Sequence, residues 1–324
     1  MAKKVESTEK FKTMIGGQAL IEGIMMLGPD KSSVVVRKKD GLRIKTEPRK
    51  VSEGFSLKKL PLIRGVFNFC ASMKMGVTAL LYSADVYAED DEEAAQEPQS
   101  RLDAWLEKHL SSEKAQSVMT TLAVVVGIAF SVALFFVLPS LIGSVINRFL
   151  TTNELVRNLL EGLVRIVIFL TYMFLVSRMK DMKRVFSYHG AEHKTIRCYE
   201  AKLPLTVENA RQMTRLHPRC GTSFLFVVVI LSILISAIFS AIWPVDNMLG
   251  RLGLTLLRLP LIVAIAYEFN RLVGRHDNKL TRFLSKPGMW LQYFTTQEPD
   301  DSMLEVGIRA LELVLPEHEG EDKW

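Results

Sequence analysis

Cysteine is scarce. Cys70, Cys198 and Cys220 are the whole complement, an odd set without C-x-x-C spacing. This argues against a disulfide framework, and beside a reducing cytosol the three are expected as free thiols. No glycine-rich phosphate loop follows a strand pattern, so nothing points to a nucleotide site. The first residues, Met1 to Glu6, are polar with no hydrophobic core behind them, and no cleaved signal peptide is expected. Charge is missing over long stretches. Val118 to Ile146 and Thr222 to Trp243 contain no Asp, Glu, Lys or Arg, which excludes ordinary soluble helices there.

What fills those stretches is Val, Leu, Ile, Ala and Phe, the composition of membrane spans. Val118 to Ile146 is the clearest, with a bend expected near Pro139. Leu159 to Val176 is a second, with Glu161 and Arg165 near its start. Thr222 to Trp243 is a third. Leu252 to Phe269 is the fourth and weakest, with Arg258 and Pro260 inside it and Glu268 at its end. Lys and Arg collect on one side of this pattern. The segment Arg178 to Arg219 holds ten, whereas Asn147 to Asn158 holds two and Pro244 to Arg251 holds one. The long basic loop is therefore expected in the cytoplasm, together with both termini. The net charge of +6 and pI near 9.1 follow from that asymmetry, with attraction to anionic lipid, and give no reason to expect nucleic acid.

Within the basic loop, Ser187 to Thr195 reads S-Y-H-G-A-E-H-K-T. On a helix His189 and His193 lie one turn apart on one face, with Glu192 beside them. Two neutral imidazoles as ligands and a carboxylate able to take a proton from water suit a divalent metal, zinc above all. The order H-x-x-E-H is the reverse of the H-E-x-x-H metalloprotease helix. Further ligand candidates are His217 and Cys220, in His217-Pro218-Arg219-Cys220-Gly221-Thr222-Ser223 just before the third span, and Glu268. His217 is favoured over Cys220 for a site that leaves one position open. Glu22 is a further candidate, because an acid in an apolar, Gly-flanked setting must find a partner or stay neutral.

The expected fold is mainly α: a polytopic membrane protein with about four transmembrane helices and a small N-terminal β-containing cytoplasmic region. Residues 1–15 read as a polar tail. Residues 16–87 hold a β-hairpin, with strands Ser32–Arg37 and Leu42–Thr46 joined through Asp40-Gly41, and then one or two interfacial helices over Pro61 to Tyr87. Residues 88–117 are an acidic linker with a short helix near Leu102 to Leu110. Spans 1 and 2 occupy 118–178, the motif loop 179–221, spans 3 and 4 222–269, and a cytoplasmic cap 270–324. Helices are expected over Met182–Tyr199, over Glu208–Leu216 before His217-Pro218, and over Ser302–Leu315, the last started by Asp300, Asp301 or Ser302.

These motifs together resemble the YqhQ-like family of bacterial inner-membrane proteins, on Gly16-Gly17-Gln18, Ile21-Glu22-Gly23, Arg64-Gly65, Tyr188 to Thr195, His217 to Ser223, Tyr267-Glu268 and Glu298-Pro299-Asp300. The resemblance covers nearly the whole chain. It implies an integral inner-membrane protein of unknown function, labelled a predicted metal-dependent enzyme. The H-x-x-E-H order also resembles inverzincin peptidases, where a downstream Glu completes the zinc site. That likeness implies His189 and His193 as ligands, Glu192 as base, and Glu268 or His217 as third ligand.

The expected activity is that of a zinc-dependent hydrolase at the cytoplasmic membrane interface, acting on an unknown membrane protein or a lipid. The competing expectation is a non-catalytic assembly or transport component, in which these residues form a structural metal or polar cluster. Arg165 and Arg258 would then pair across helices or line a path.

Overall fold

The computed structural model describes residues 11–49, 60–89, 112–149, 154–243, 245, 248–276, 278–318 and 320–323. The short helix expected at Leu102 to Leu110 lies outside them. Four strands follow one another as an antiparallel meander: β1 (Gly16–Leu20), β2 (Gly23–Leu27), β3 (Lys31–Lys38) and β4 (Gly41–Pro48). The expected β3–β4 hairpin is present, with Lys38 opposite Gly41. Gly41 has φ of 144°, a conformation that a side chain would resist. Beyond the hairpin, β1 and β2 add two strands that the sequence pattern did not announce.

Alternation along the strands sends side chains to two faces. Ile24, Met26 and Val35 enter one core with Tyr188, Ala191, Leu304 and Leu311, while Leu20 and Met25 pack with Ala79 on the other face. A single helix, α1 (Ile63–Ala88), supplies Ala79. Each fully buried Ile, Leu or Met side chain contributes roughly 1.5–3 kcal/mol, so the sheet between these helices is the main hydrophobic core among the described residues.

The chain separates into two compact units. One comprises Met1–Asp90, Met173–Val228 and Val263–Trp324; the other comprises Asp91–Tyr172 and Val229–Ile262. Four helical stretches are long and apolar enough to cross a membrane: Val118–Val145, Leu159–Val176, Gly221–Phe239 and Leu252–Arg275. The first joins α2 (Ser112–Val132) and α3 (Leu138–Phe149) through a π turn at Ala133–Val137. That turn falls just before Pro139, which has no N–H and whose ring crowds the carbonyl four residues back. The others belong to α4 (Glu154–Val176), α7 (Gly221–Ile242) and α8 (Met248–Arg275). In the second unit polar groups of the candidate spans pair both within and between helices. Arg165 lies 3.5 Å from Glu161 and bonds Ser232 at 3.2 Å, and Arg258 lies over the Phe239 ring.

In the first unit, α5 (Lys180–Glu200) carries Asp181 in its first turn and Arg197 in its last, each matched to the local sign of the helix dipole. The next helix, α6 (Val207–Arg211), ends well short of Leu216. The segment after it is irregular because its carbonyls are taken by side chains of α5: Arg215 O accepts from His193, and Leu216 O from Arg197. Two more helices complete the unit, α9 (Lys279–Thr295) and α10 (Asp301–Glu312). Of the three candidates to start α10, Asp300 is the cap, accepting the Met303 N–H at 2.9 Å. All three cysteines are free.

Candidate metal centre

Helix α5 is wrapped by protein over most of its length, packed against β1, β2 and α10. Its polar residues are therefore buried: Glu192 is 5% exposed and His193 1%. The helical repeat places the rings of His189 and His193 side by side, 4.4 Å between centroids. His189, His193 and Cys220 each offer a ligand atom, and these atoms all lie within 4.8 Å of one another.

The Nδ1 atoms are committed elsewhere. His189 Nδ1 is 2.7 Å from the Thr295 carbonyl oxygen, and His193 Nδ1 is 2.5 Å from that of Arg215. A carbonyl only accepts, so Nδ1 must carry the proton, and each Nε2 keeps its lone pair. Metal-bound histidines are oriented in this way. His189 Nε2 lies 3.2 Å from Cys220 Sγ. His193 Nε2 is buried with no hydrogen-bond partner, as is Glu192 Oε2. Orphaned buried acceptors cost free energy unless something fills them. A divalent cation fits the His193 orphan and the neighbouring Nε2 and Sγ donors, and two nitrogens with one sulfur are a zinc-type set.

Glycines make this approach possible. A Cβ on Gly190 would collide with the Gln297 carbonyl oxygen, so Gly190 lets the chain after α9 cross α5 and present Thr295 to His189. Gly17 does the same from β1: its N–H donates to Glu192 Oε1 at 3.0 Å, and a Cβ there would come within 3.1 Å of the Glu192 carboxyl carbon.

Burial and neighbouring charges shift three groups here. Burial, with help from the charge of Cys220 and against His189 and the Gly17 N–H, pushes the Glu192 carboxyl up to about 7. Burial, reinforced by His189 and His217 and opposed by Cys220, lowers His193 to about 4. Burial alone would raise the Cys220 thiol, but the neighbouring His193 ring and Thr222 outweigh it and hold it below its ordinary value.

The other expected site residues go elsewhere. Among the described residues His217 is not in the ligand group. Its Nε2 faces Glu200 Oε2 at 3.4 Å, and its Nδ1 accepts from the Arg219 N–H at 3.4 Å. Glu268 forms a double hydrogen bond with Arg64 and also accepts from the Leu62 N–H. Glu22, at the β1–β2 turn with φ of 50°, accepts two bonds of 2.5 Å from Arg184 and one of 3.1 Å from Tyr188. Cys220, ranked below His217 on sequence, is the residue that the fold brings to the imidazoles. The available signal was its place directly before α7, whose N-terminal dipole favours a thiolate.

A family model described as "Protein of unknown function (DUF1385)" matches residues 60–317. The chain belongs to this family. It is 31% identical over 314 residues to the uncharacterized protein YqhQ of Bacillus subtilis (strain 168), an alignment covering 95% of this chain and 94% of that protein. No solved structure matches. The DUF1385 description carries no reaction, so the chemistry rests on the geometry. His189, His193 and Cys220 all fall within the matched residues, whereas the four strands precede them.

Proposed function

We propose that this DUF1385 member is a membrane-bound metal-dependent hydrolase in which His189, His193 and Cys220 hold zinc. The observation that carries this is the pair of Nδ1 atoms held by backbone carbonyls, which leaves two Nε2 lone pairs to converge with one Sγ around the buried His193. A zinc ion held by these three residues would supply a Lewis acid and would lower the pKa of water at the site. Glu192 is the base. Its Oε1 is fixed by Gly17 and its Oε2 is unpartnered, so one oxygen is positioned while the other takes a proton from water and returns it to a leaving group. The Thr295 and Arg215 carbonyls keep both rings in one tautomer through the cycle.

The four candidate spans support an integral membrane protein. We infer that the site faces the cytoplasm at the inner membrane, with both termini on that side, from the ten Lys and Arg between Arg178 and Arg219. The substrate is then a bond within reach of the bilayer surface, a peptide of a membrane protein or a lipid ester or amide.

The test is metal analysis of detergent-purified full-length protein. Zinc is expected to co-purify with the wild type, to be lost in His193→Ala and Cys220→Ser, and to be retained in Glu192→Gln and His217→Ala. Retention in both ligand variants removes the centre. Loss in His217→Ala returns that residue to the ligand set.

A further inference from the structure

A second feature of the first unit lies outside the His, His, Cys group. A cavity of about 730 Å³ is lined by Lys12, Arg197, Arg219, Arg282 and Lys286, with Glu200 as its one carboxylate among the described residues. Glu200 is already engaged by Arg219, His217 and the Thr13 N–H, so the remaining character of the wall is cationic. The volume is that of a small-molecule site. Part of the wall is Val273 and Gly274, in the last turn of the span that ends at Arg275. The cavity therefore lies at the end of a candidate span, where a headgroup would be within reach if that helix crosses the bilayer.

The helix that closes it supports the same placement. α9 begins four residues after that span and buries Thr281, Ser285, Gly288 and Leu291 on its inner face. Arg282 and Lys286, one turn apart, border the cavity. On the neighbouring stripe Leu280, Phe283 and Trp290 are 64%, 65% and 64% exposed. Cationic residues beside exposed Leu, Phe and Trp on one helix are the pattern of an element lying in a bilayer surface.

We propose that this cavity binds the phosphate headgroup of an anionic phospholipid, with Arg282 and Lys286 at its mouth and Arg197 and Arg219 at its base. The acyl chains leave along the apolar stripe of α9. This site does not depend on the metal reading, since none of its cationic side chains is a ligand in that proposal.

Full-length protein in detergent is titrated with dihexanoyl phosphatidylglycerol, dihexanoyl phosphatidylcholine or inorganic phosphate, and followed by thermal unfolding and by intact-complex mass spectrometry. Phosphatidylglycerol is expected to bind saturably and raise the unfolding temperature, and the other two to do neither at the same concentrations. In the double variant Arg282→Gln/Lys286→Gln, both at exposed positions, binding is expected to weaken by about tenfold or more with the unfolding temperature of the lipid-free protein read alongside. Equal affinity in the double variant overturns the proposal, as does equal binding of phosphatidylcholine. Inorganic phosphate binding as tightly as the lipid replaces the headgroup with a soluble phosphate ligand and likewise overturns it.

Discussion

Helix α5 and the first span invert the usual expectation about polarity. α5 is rich in Lys, Arg, His and Glu, yet ten of its residues are buried, including Tyr188, Glu192, His193, Lys194 and Thr195. The first span, free of charge from Val118 to Ile146, has no buried residue in its most apolar window. The difference is the solvent that each is built for. A span is solvated by lipid, so apolar side chains need no protein cover. α5 is solvated by protein, so every buried polar group needs a partner or a role. Most have one: Lys194 reaches the Arg211 carbonyl at 3.0 Å and Glu298 at 2.7 Å, and Tyr188 reaches Glu22. Three atoms of α5 do not, Glu192 Oε2, His193 Nε2 and Thr195 Oγ1, and the first two belong to the candidate site.

The sharpest way to break this contrast is to add one methyl group to each helix. In an open helix position Gly→Ala gains about 1 kcal/mol. At Gly127, with nothing within 4 Å of a new Cβ, Gly127→Ala is expected to leave the thermal unfolding temperature unchanged or slightly raised. At Gly190 the Gln297 carbonyl blocks the same change, so Gly190→Ala is expected to cost about 1–3 kcal/mol and to reduce zinc content by displacing Thr295 from His189. Equal effects at both positions would dissolve the distinction.

A smaller effect is expected where α1 meets the end of the fourth span. Arg64 and Glu268 are 23% and 24% exposed, so Arg64→Met is expected to cost about 1 kcal/mol or less after solvent screening, with zinc retained. Loss of zinc there would restore Glu268 as a ligand.

The smallest effect concerns Asp300. Burial alone would raise its carboxyl, but bonds from Ser302 and the Met303 N–H, with the charge of Arg184, hold it below the ordinary carboxylate value. A folded-state value that is depressed adds stability above the unfolded value, and this is lost as pH falls through the folded one. Asp300→Ala is expected to cost about 1 kcal/mol near neutral pH. Asp300→Asn should keep most of the cap while flattening the stability curve below about pH 4, which acid titration of the unfolding temperature reads directly.

Much of this was legible in the sequence, and for definite reasons. Long apolar runs, a D-G turn and a helical H-x-x-E-H spacing are local signals, and the four span candidates, the β3–β4 hairpin and α5 follow them. Pairings between distant segments left no such signal. Glu268 with Arg64, 204 residues apart, and Glu22 with Arg184, 162 apart, could be foreseen only as acids in need of partners. The choice between His217 and Cys220 was not local either. The place of Cys220 directly before α7 was a partial signal, but the direction of the backbone after α6, where carbonyls serve His193 and Arg197, is what turns His217 toward Glu200 and Cys220 toward the imidazoles. The strands β1 and β2 were obscured by glycine, whose value here is the close approach of Gly17 to Glu192 rather than any strand preference.

The bond from His189 Nδ1 to Thr295 O spans 106 residues, and in that interval lie the last two span candidates. During synthesis the imidazole leaves the ribosome long before the carbonyl that orients it. On the proposed metal reading, loading waits until the tail of the chain has folded back over α5, and a chain still being made does not yet carry the complete site.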